Sequence, residues 1–227
     1  MPLSLYFNER QLPSFVRVNN IQVQVLPNED NQKKVVVSFY IHRQQLISND
    51  QMDEFATWLK GNDFKPSPLI LPNDLTSYYL AKVDNIVDID GSIVRGEGKI
   101  EFLCVKSQRT SLTPKQQRFT NSSVIQYMGN RKTSPIIRFF ILSQTSEVKL
   151  KFQNQVYNNF IRLVGHFTKG QCLEVNMATK KVLIDNELKM TTLTLDSFFH
   201  DLVPGTNRYE LNQGNCRVEV SWFDEFI

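Results

Sequence analysis

The sequence predicts a mainly β protein, an N-terminal β domain carrying one α-helix followed by a C-terminal β-sandwich. Three observations carry this. Short apolar segments repeat with a two-residue period through most of the 227 residues, a single segment repeats at helical spacing, and an acid-free polar stretch separates two such regions.

The first strand signal is Ile21, Val23 and Val25 alternating with Gln22 and Gln24, the pattern of a half-buried strand. Pro27-Asn28-Glu29-Asp30-Asn31-Gln32 predicts a turn, and Val35, Val37, Phe39 and Ile41 predict an antiparallel neighbour. Ser48 and Gln51 have capping-box spacing, and Asp50 and Asp53 lie near the positive end of the helix dipole. Met52, Phe55, Ala56 and Leu59 fall at i, i+3, i+4 and i+7, which predicts a helix over 49–60, and Gly61 is placed to end it in a left-handed conformation. Strands are expected again at Leu69-Ile70-Leu71, at 78–86 after a Pro72-Asn73-Asp74 turn, and at 99–105. Ile100, Phe102 and Cys104 mark one face of the last, and Asp90-Gly91, Gly96 and Gly98 allow a reversal or bulge before it. The N-terminal domain is thus expected over 1–106.

From Phe102 to Ser146 there is no Asp or Glu, yet Lys106, Arg109, Lys115, Arg118, Arg131, Lys132 and Arg138 are all basic. With its Ser, Thr, Gln and Asn content, 107–134 reads as a basic polar linker or arm. Alternation resumes over 135–227: Val148 and Leu150, then 160–167, then Leu173, Val175 and Met177, then Val182 and Ile184. A tight turn is expected at Asn186-Glu187, and the final strand sets Cys216, Val218, Val220 and Trp222 against Arg217, Glu219 and Ser221. Six or more short, closely spaced strands suggest a sandwich.

The inventory of reactive groups is thin. The net charge is +3 and 41% of residues are apolar, as in an ordinary water-soluble folded protein. No apolar run approaches the roughly 18 residues a membrane helix needs, and MPLSLYFNER lacks a secretion-signal layout. Cys104, Cys172 and Cys216 have no C-x-x-C spacing and read as buried reduced thiols; His42, His166 and His200 have no zinc-ligand spacing. No metal and no cofactor is assigned. No G-x-S-x-G, cysteine-protease or phosphate-cradle motif occurs, which argues against an enzyme. Asp88 with Asp90, and Asp224 with Glu225, read as solvated carboxylates rather than a glycan-hydrolysing pair. The basic stretch, with Phe119, Tyr127 and Phe139, lacks the regular interleaving of a nucleic-acid surface and reads as a docking arm. Its Lys106, Arg109, Lys115, Arg118, Arg131 and Lys132 are the candidate subunit or partner contacts. Trp58 and Trp222 read first as core residues, with Trp222 the candidate carbohydrate contact on the alternative reading.

Taken in order, several stretches resemble one family: the capped helix ending in Trp58-Leu59, "LILPNDLTSYYLAKVDNI", "GEGKIEFLC", "KVLIDNELK", "SFFHDLVPGTNRYEL" and "CRVEVSWFDEFI". The family is the distal tail proteins of long-tailed, siphovirus-type bacteriophages and prophages of Gram-positive hosts. Its most recognisable part here is Ile184-Asp185, then Leu202, Pro204, Gly205 and Asn207, then the terminal aromatic strand. The resemblance implies an N-terminal domain that assembles into a sixfold ring and a galectin-like C-terminal sandwich. It also implies a structural virion protein, a homohexameric hub in the tail tip, made in the host cytoplasm. The hub joins the tail tube protein to the baseplate or tail-associated proteins, and DNA passes through its lumen without specific binding or a membrane partner. The span 135–227 leaves no room for the long receptor-binding insertions of some relatives. The alternative reading is a carbohydrate-binding sandwich that attaches the particle to a cell wall.

Overall fold

The computed structural model describes residues 4–27, 32–41, 48–92 and 95–227, the side chains of 87–92 and 95 excepted. The expected turn over 27–32 and His42 lie largely or wholly outside the described residues, as do the side chains of Asp88 and Asp90. The chain divides into two compact units between Leu112 and Thr113.

The N-terminal unit contains β1 (Tyr6–Phe7), β2 (Arg10–Gln11), β3 (Val16–Val25), β4 (Lys33–Ile41), α1 (Asn49–Lys60), β5 (Ser67–Leu71), β6 (Asp74–Ser92), β7 (Arg95–Cys104) and β8 (Arg109–Ser111). They form an antiparallel sheet in the order β2-β1-β5-β6-β7-β4-β3, with β8 paired to β6 at Ser77 and Tyr78. Val35, Val37, Phe39, Ile100, Phe102 and Cys104 alternate onto one face and are buried. Asp90-Gly91 marks a bulge rather than the reversal: the register shifts between Val87 and Asp90, after which Gly91 pairs with Gly96 and Ser92 with Arg95.

Helix α1 covers that apolar face. The Gln51 side chain accepts a hydrogen bond from the Ser48 N–H at 3.1 Å, and Gly61 ends the helix at φ 54°. The buried stripe is Phe55, Trp58 and Leu59, not the expected Met52, Phe55, Ala56 and Leu59; Met52 is 58% exposed, and Ala56 is exposed. The indole decides the rotation. Burying a Trp removes far more apolar surface from water than a Met and an Ala methyl together. Trp58 Nε1 also donates to the Arg10 carbonyl at 3.0 Å, and its ring packs edge-on against Phe7 and Phe102 at 5.8 and 6.2 Å.

The C-terminal unit contains β9 (Lys115–Phe119), β10 (Ser122–Tyr127), β11 (Ile136–Ile141), β12 (Thr145–Gln153), β13 (Asn158–Phe167), β14 (Cys172–Asn176), β15 (Lys181–Ile184), β16 (Glu187–Leu188), β17 (Gly205–Gln213) and β18 (Cys216–Trp222). Two antiparallel sheets result, β10-β17-β12-β13 and β16-β15-β14-β11-β18-β9. Their inner faces bury Phe139, Phe152, Leu163, Tyr209 and Val218 in one core.

The arm expected over 107–134 is therefore not an arm. Within it, β9 and β10 are the outermost strands of the two sandwich sheets, and Thr133 bridges to Leu202. Their polar sequences mislead because an edge strand contributes few side chains to a core: of 115–127, Ile125 and Tyr127 are buried and Phe119 packs against the core. The β15–β16 hairpin turns at Asp185-Asn186, one residue before the expected place. Both residues have positive φ, 48° and 70°, as a two-residue type I′ turn requires. Cys104 and Cys216 are buried and Cys172 is half-buried, so the expectation of three buried thiols holds for two; burial pushes both of those thiols up to about 12.

Phe55 stacks between helix and sheet, 5.4 Å from Phe39. Phe55→Ala is expected to lower the stability of the N-terminal unit by about 3–5 kcal/mol, read as a reduced urea midpoint.

Candidate functional site

The basic stretch lacks acids because its partners lie elsewhere in the sequence. Arg109 pairs with Asp74 at the start of β6. Lys115 pairs with Asp224 at 2.5 Å, Arg118 with Glu219 at 2.6 Å and Lys132 with Asp201 at 3.4 Å. Lys106 and Arg131 are exposed, the latter tied through its backbone N–H to the Glu225 carbonyl at 3.2 Å. Four of the six are thus committed to carboxylates within their own unit. Burial alone would raise the Asp74 carboxyl, but hydrogen bonds from Ser77 and Thr76, with Arg109, lower it to about 2.

Across the outer face of the six-stranded sheet runs a charge ladder. Arg118 on β9 lies opposite Glu219 on β18, which lies opposite Arg138 on β11, which lies opposite Glu174 on β14. Arg118 Nε donates to Glu219 at 2.6 Å, Arg138 Nη1 to Glu219 at 3.3 Å and Arg138 Nε to Glu174 at 2.8 Å. Alternating signs directly across strands stabilise the sheet and use up its own charges. Glu219 is 5% exposed. Burial favours its neutral form, yet the two guanidiniums hold its carboxyl below the usual glutamate value.

Trp222 has no face to offer a sugar. It is 7% exposed within the core, and its Nε1 donates to Asp224 at 3.1 Å. Asp224 is itself 3% exposed, held between that indole and Lys115, so it is not the solvated carboxylate expected of the Asp224-Glu225 pair. Among the described residues no group of three or more His, Cys, Asp or Glu is arranged to hold a metal ion. Among the described residues no helix is long and apolar enough to cross a membrane.

The surface that the sequence did not reveal is the outer half of β3. Val23 and Val25, expected to be half-buried, are 44% and 60% exposed, and Gln22 and Gln24 on the other face are exposed too. β3 ends the sheet order, and among the described residues no strand pairs its outer side. Alternation shows that a strand has two faces; it does not show how far the core beneath it extends.

The family described as "Siphovirus-type tail component, C-terminal domain" matches residues 128–226. The matched segment lies within the C-terminal unit. The whole chain has the fold of the Dit protein of phage SPP1, described as a paradigm of the hub adsorption apparatus in phages infecting Gram-positive bacteria: TM-score 0.78, 12% identity, 99% of each chain covered. A more distant likeness is to the phage p2 baseplate in its activated conformation with calcium, with TM-score 0.49, 10% identity, and 99% of this chain and 98% of that one covered. No curated protein matches the chain in sequence. The chain thus has a Dit-like fold over its whole length.

Within the matched segment, Leu202, Pro204, Gly205 and Asn207 belong to a structural clamp. Asn207 is fully buried; its Nδ2 donates to the carbonyls of Val203 and Gly205 at 2.8 and 3.0 Å, and its Oδ1 accepts from the Val203 N–H at 3.1 Å. Asn154, from the turn after β12, donates to the same Oδ1 at 2.9 Å. Gly205 supplies φ 93°, a conformation that side chains resist. Beside the clamp His200 lies flat on Phe152, with ring centroids 3.7 Å apart, and its Nε2 is 3.1 Å from the Tyr209 hydroxyl. Burial pushes the imidazole down to about 4.

Two outcomes follow from this geometry. Asn207→Ala leaves several buried polar groups unpaired and is expected to destabilise the C-terminal unit by about 2–4 kcal/mol in urea titrations followed by Trp222 fluorescence. His200 titrates near 6.5 when unfolded and about 4 when folded, so the unfolded chain binds the extra proton between those values. Its contribution is therefore fully present above pH 6.5 and declines as pH falls towards 4; His200→Gln is expected to flatten that part of the stability profile.

Proposed function

We propose that the chain is the distal tail ring of a siphovirus-type phage: a homohexameric hub joining the end of the tail tube to the baseplate or tip around a lumen for DNA. The observation that carries this reading is the likeness to the SPP1 hub protein, at TM-score 0.78 over 99% of either chain rather than over one module. The free edge of β3 supports it. A ten-residue strand whose outer side has no strand partner among the described residues, with exposed Val23 and Val25, forms a surface that must be covered or risk uncontrolled pairing. When that edge meets a different patch on the next copy, the contact is heterologous, and it closes into a ring if the rotation divides a full turn.

The same reading places the tail tube protein on one face of the ring and tail-associated or baseplate proteins on the other. The protein then resides in the virion, after assembly in the host cytoplasm, and does no catalysis. Neutralisation of Arg109, Lys115, Arg118 and Lys132 by carboxylates supports passage of DNA without specific binding.

Native mass spectrometry and negative-stain microscopy of the full chain should show hexamers or stacked hexamers with an open centre. Val23→Asp combined with Val25→Asp should keep the circular dichroism spectrum and yield monomers. A wild-type chain that stays monomeric at high concentration with tail partners added would refute the ring.

A further inference from the structure

The two outer faces of the C-terminal sandwich are chemically unlike. On the six-stranded face Arg118, Glu219, Arg138 and Glu174 consume one another's charge. On the four-stranded face a groove of about 660 Å³ is lined by Ser122 and Val124 of β10, Lys151 and Gln153 of β12, and Arg208 and Glu210 of β17. These residues alternate with Ile125, Phe152 and Tyr209 of the core, so their side chains point outward. Their register makes a grid: Ser122, Glu210 and Lys151 form one cross-strand row, and Val124, Arg208 and Gln153 the next.

Lys151 and Glu210 lie directly opposite each other yet form no ion pair, and among the described residues Arg208 and Gln153 have no side-chain partner either. Elsewhere on this face the charges are committed. Arg162 holds Glu147 at 2.8 and 3.2 Å, and Lys149 sits 4.2 Å above the Phe160 ring. What remains presented to the groove is two cations, one carboxylate and an amide at neighbouring positions of the grid. A second hollow of about 470 Å³ shares Asn121 and Leu211 with the groove and continues it along β17 as far as Asn215. The combined length suits an extended chain better than a compact molecule.

We infer that this groove binds an acidic oligosaccharide. Lys151 and Arg208 meet its acid group, carboxylate or phosphodiester, while Gln153, Glu210 and Ser122 exchange hydrogen bonds with its hydroxyls. The unpaired cations give the groove its preference for negative charge. The neighbouring Glu210 disfavours a ligand that presents unbroken negative charge without hydroxyls, as a nucleic acid or an acidic peptide does. The inference is independent of ring closure, because every lining residue comes from one C-terminal unit.

The test is calorimetric titration of the full chain with oligogalacturonate, with a phosphodiester-linked oligosaccharide, with a neutral galacto-oligosaccharide and with single-stranded oligothymidylate. Binding of the first or second identifies the acid as carboxylate or phosphodiester, with the neutral sugar and oligothymidylate much weaker. Lys151→Glu and Arg208→Glu are each expected to weaken it about tenfold or more, Gln153→Ala less, and Lys169→Glu, in an exposed turn outside the groove, not at all. Unchanged thermal unfolding shows that each variant is folded. Absence of binding to both acidic polymers, equal binding of oligothymidylate, or binding indifferent to Lys151 and Arg208 overturns the assignment.

Discussion

Backbone hydrogen bonding at sheet edges is the constraint on which the rest of this molecule depends. Every strand that ends a sheet leaves a row of N–H and C=O groups open, and the chain treats its edges differently. β13 is covered by the segment that follows β16: Thr194 and Phe198 donate backbone hydrogen bonds to the Arg162 and Phe160 carbonyls, and Ser197 Oγ accepts from the Arg162 N–H. β2 and β16 are two residues long, and β9 carries Lys115 and Arg118. β3 has none of these protections, being long, uncharged over its outer half and partly apolar. An edge left in that state is open to pairing with another strand.

Electrostatics follows the same logic of partners supplied from a distance. The basic residues between 106 and 138 look like a patch only in one dimension. In the folded units Asp74, Glu174, Asp201, Glu219 and Asp224 come to meet them, and the carboxyls of Asp74 and Glu219 are held low by their hydrogen-bonding neighbours despite burial. Charge that is satisfied within a sheet contributes to register and stability, whereas charge left open on the β10-β17-β12 face is available to a ligand. Which charges are satisfied is therefore more informative than how many there are.

The residues leading into β17 have a mechanical role as well. Leu202, Pro204, Gly205 and Asn207 set the entry into β17, with the Asn207 amide closing the turn and reaching across to Asn154. A change at Asn207 would disturb the strand that carries Tyr209 into the core and Arg208 and Glu210 to the surface. Buried Trp222 belongs to the same scaffold, with its indole N–H committed to Asp224, and this removes it from any role in sugar stacking.

The sequence by itself determined the β class, the capped helix over 49–60 and most of the apolar strands, because two- and 3.6-residue periods are local consequences of backbone geometry. Its errors share one cause. The helix stripe left Met52 and Ala56 exposed, 107–134 folded into strands including β9 and β10, and Val23 and Val25 came out exposed because each outcome depends on what packs against the segment. A polar edge strand and a polar arm have the same composition; only pairing with β17 and β18 separates them. In the same way Lys115 and Asp224, or Lys151 and Glu210, are far apart along the chain. Tertiary structure alone decides that the first pair closes into an ion pair and the second stands open on a groove.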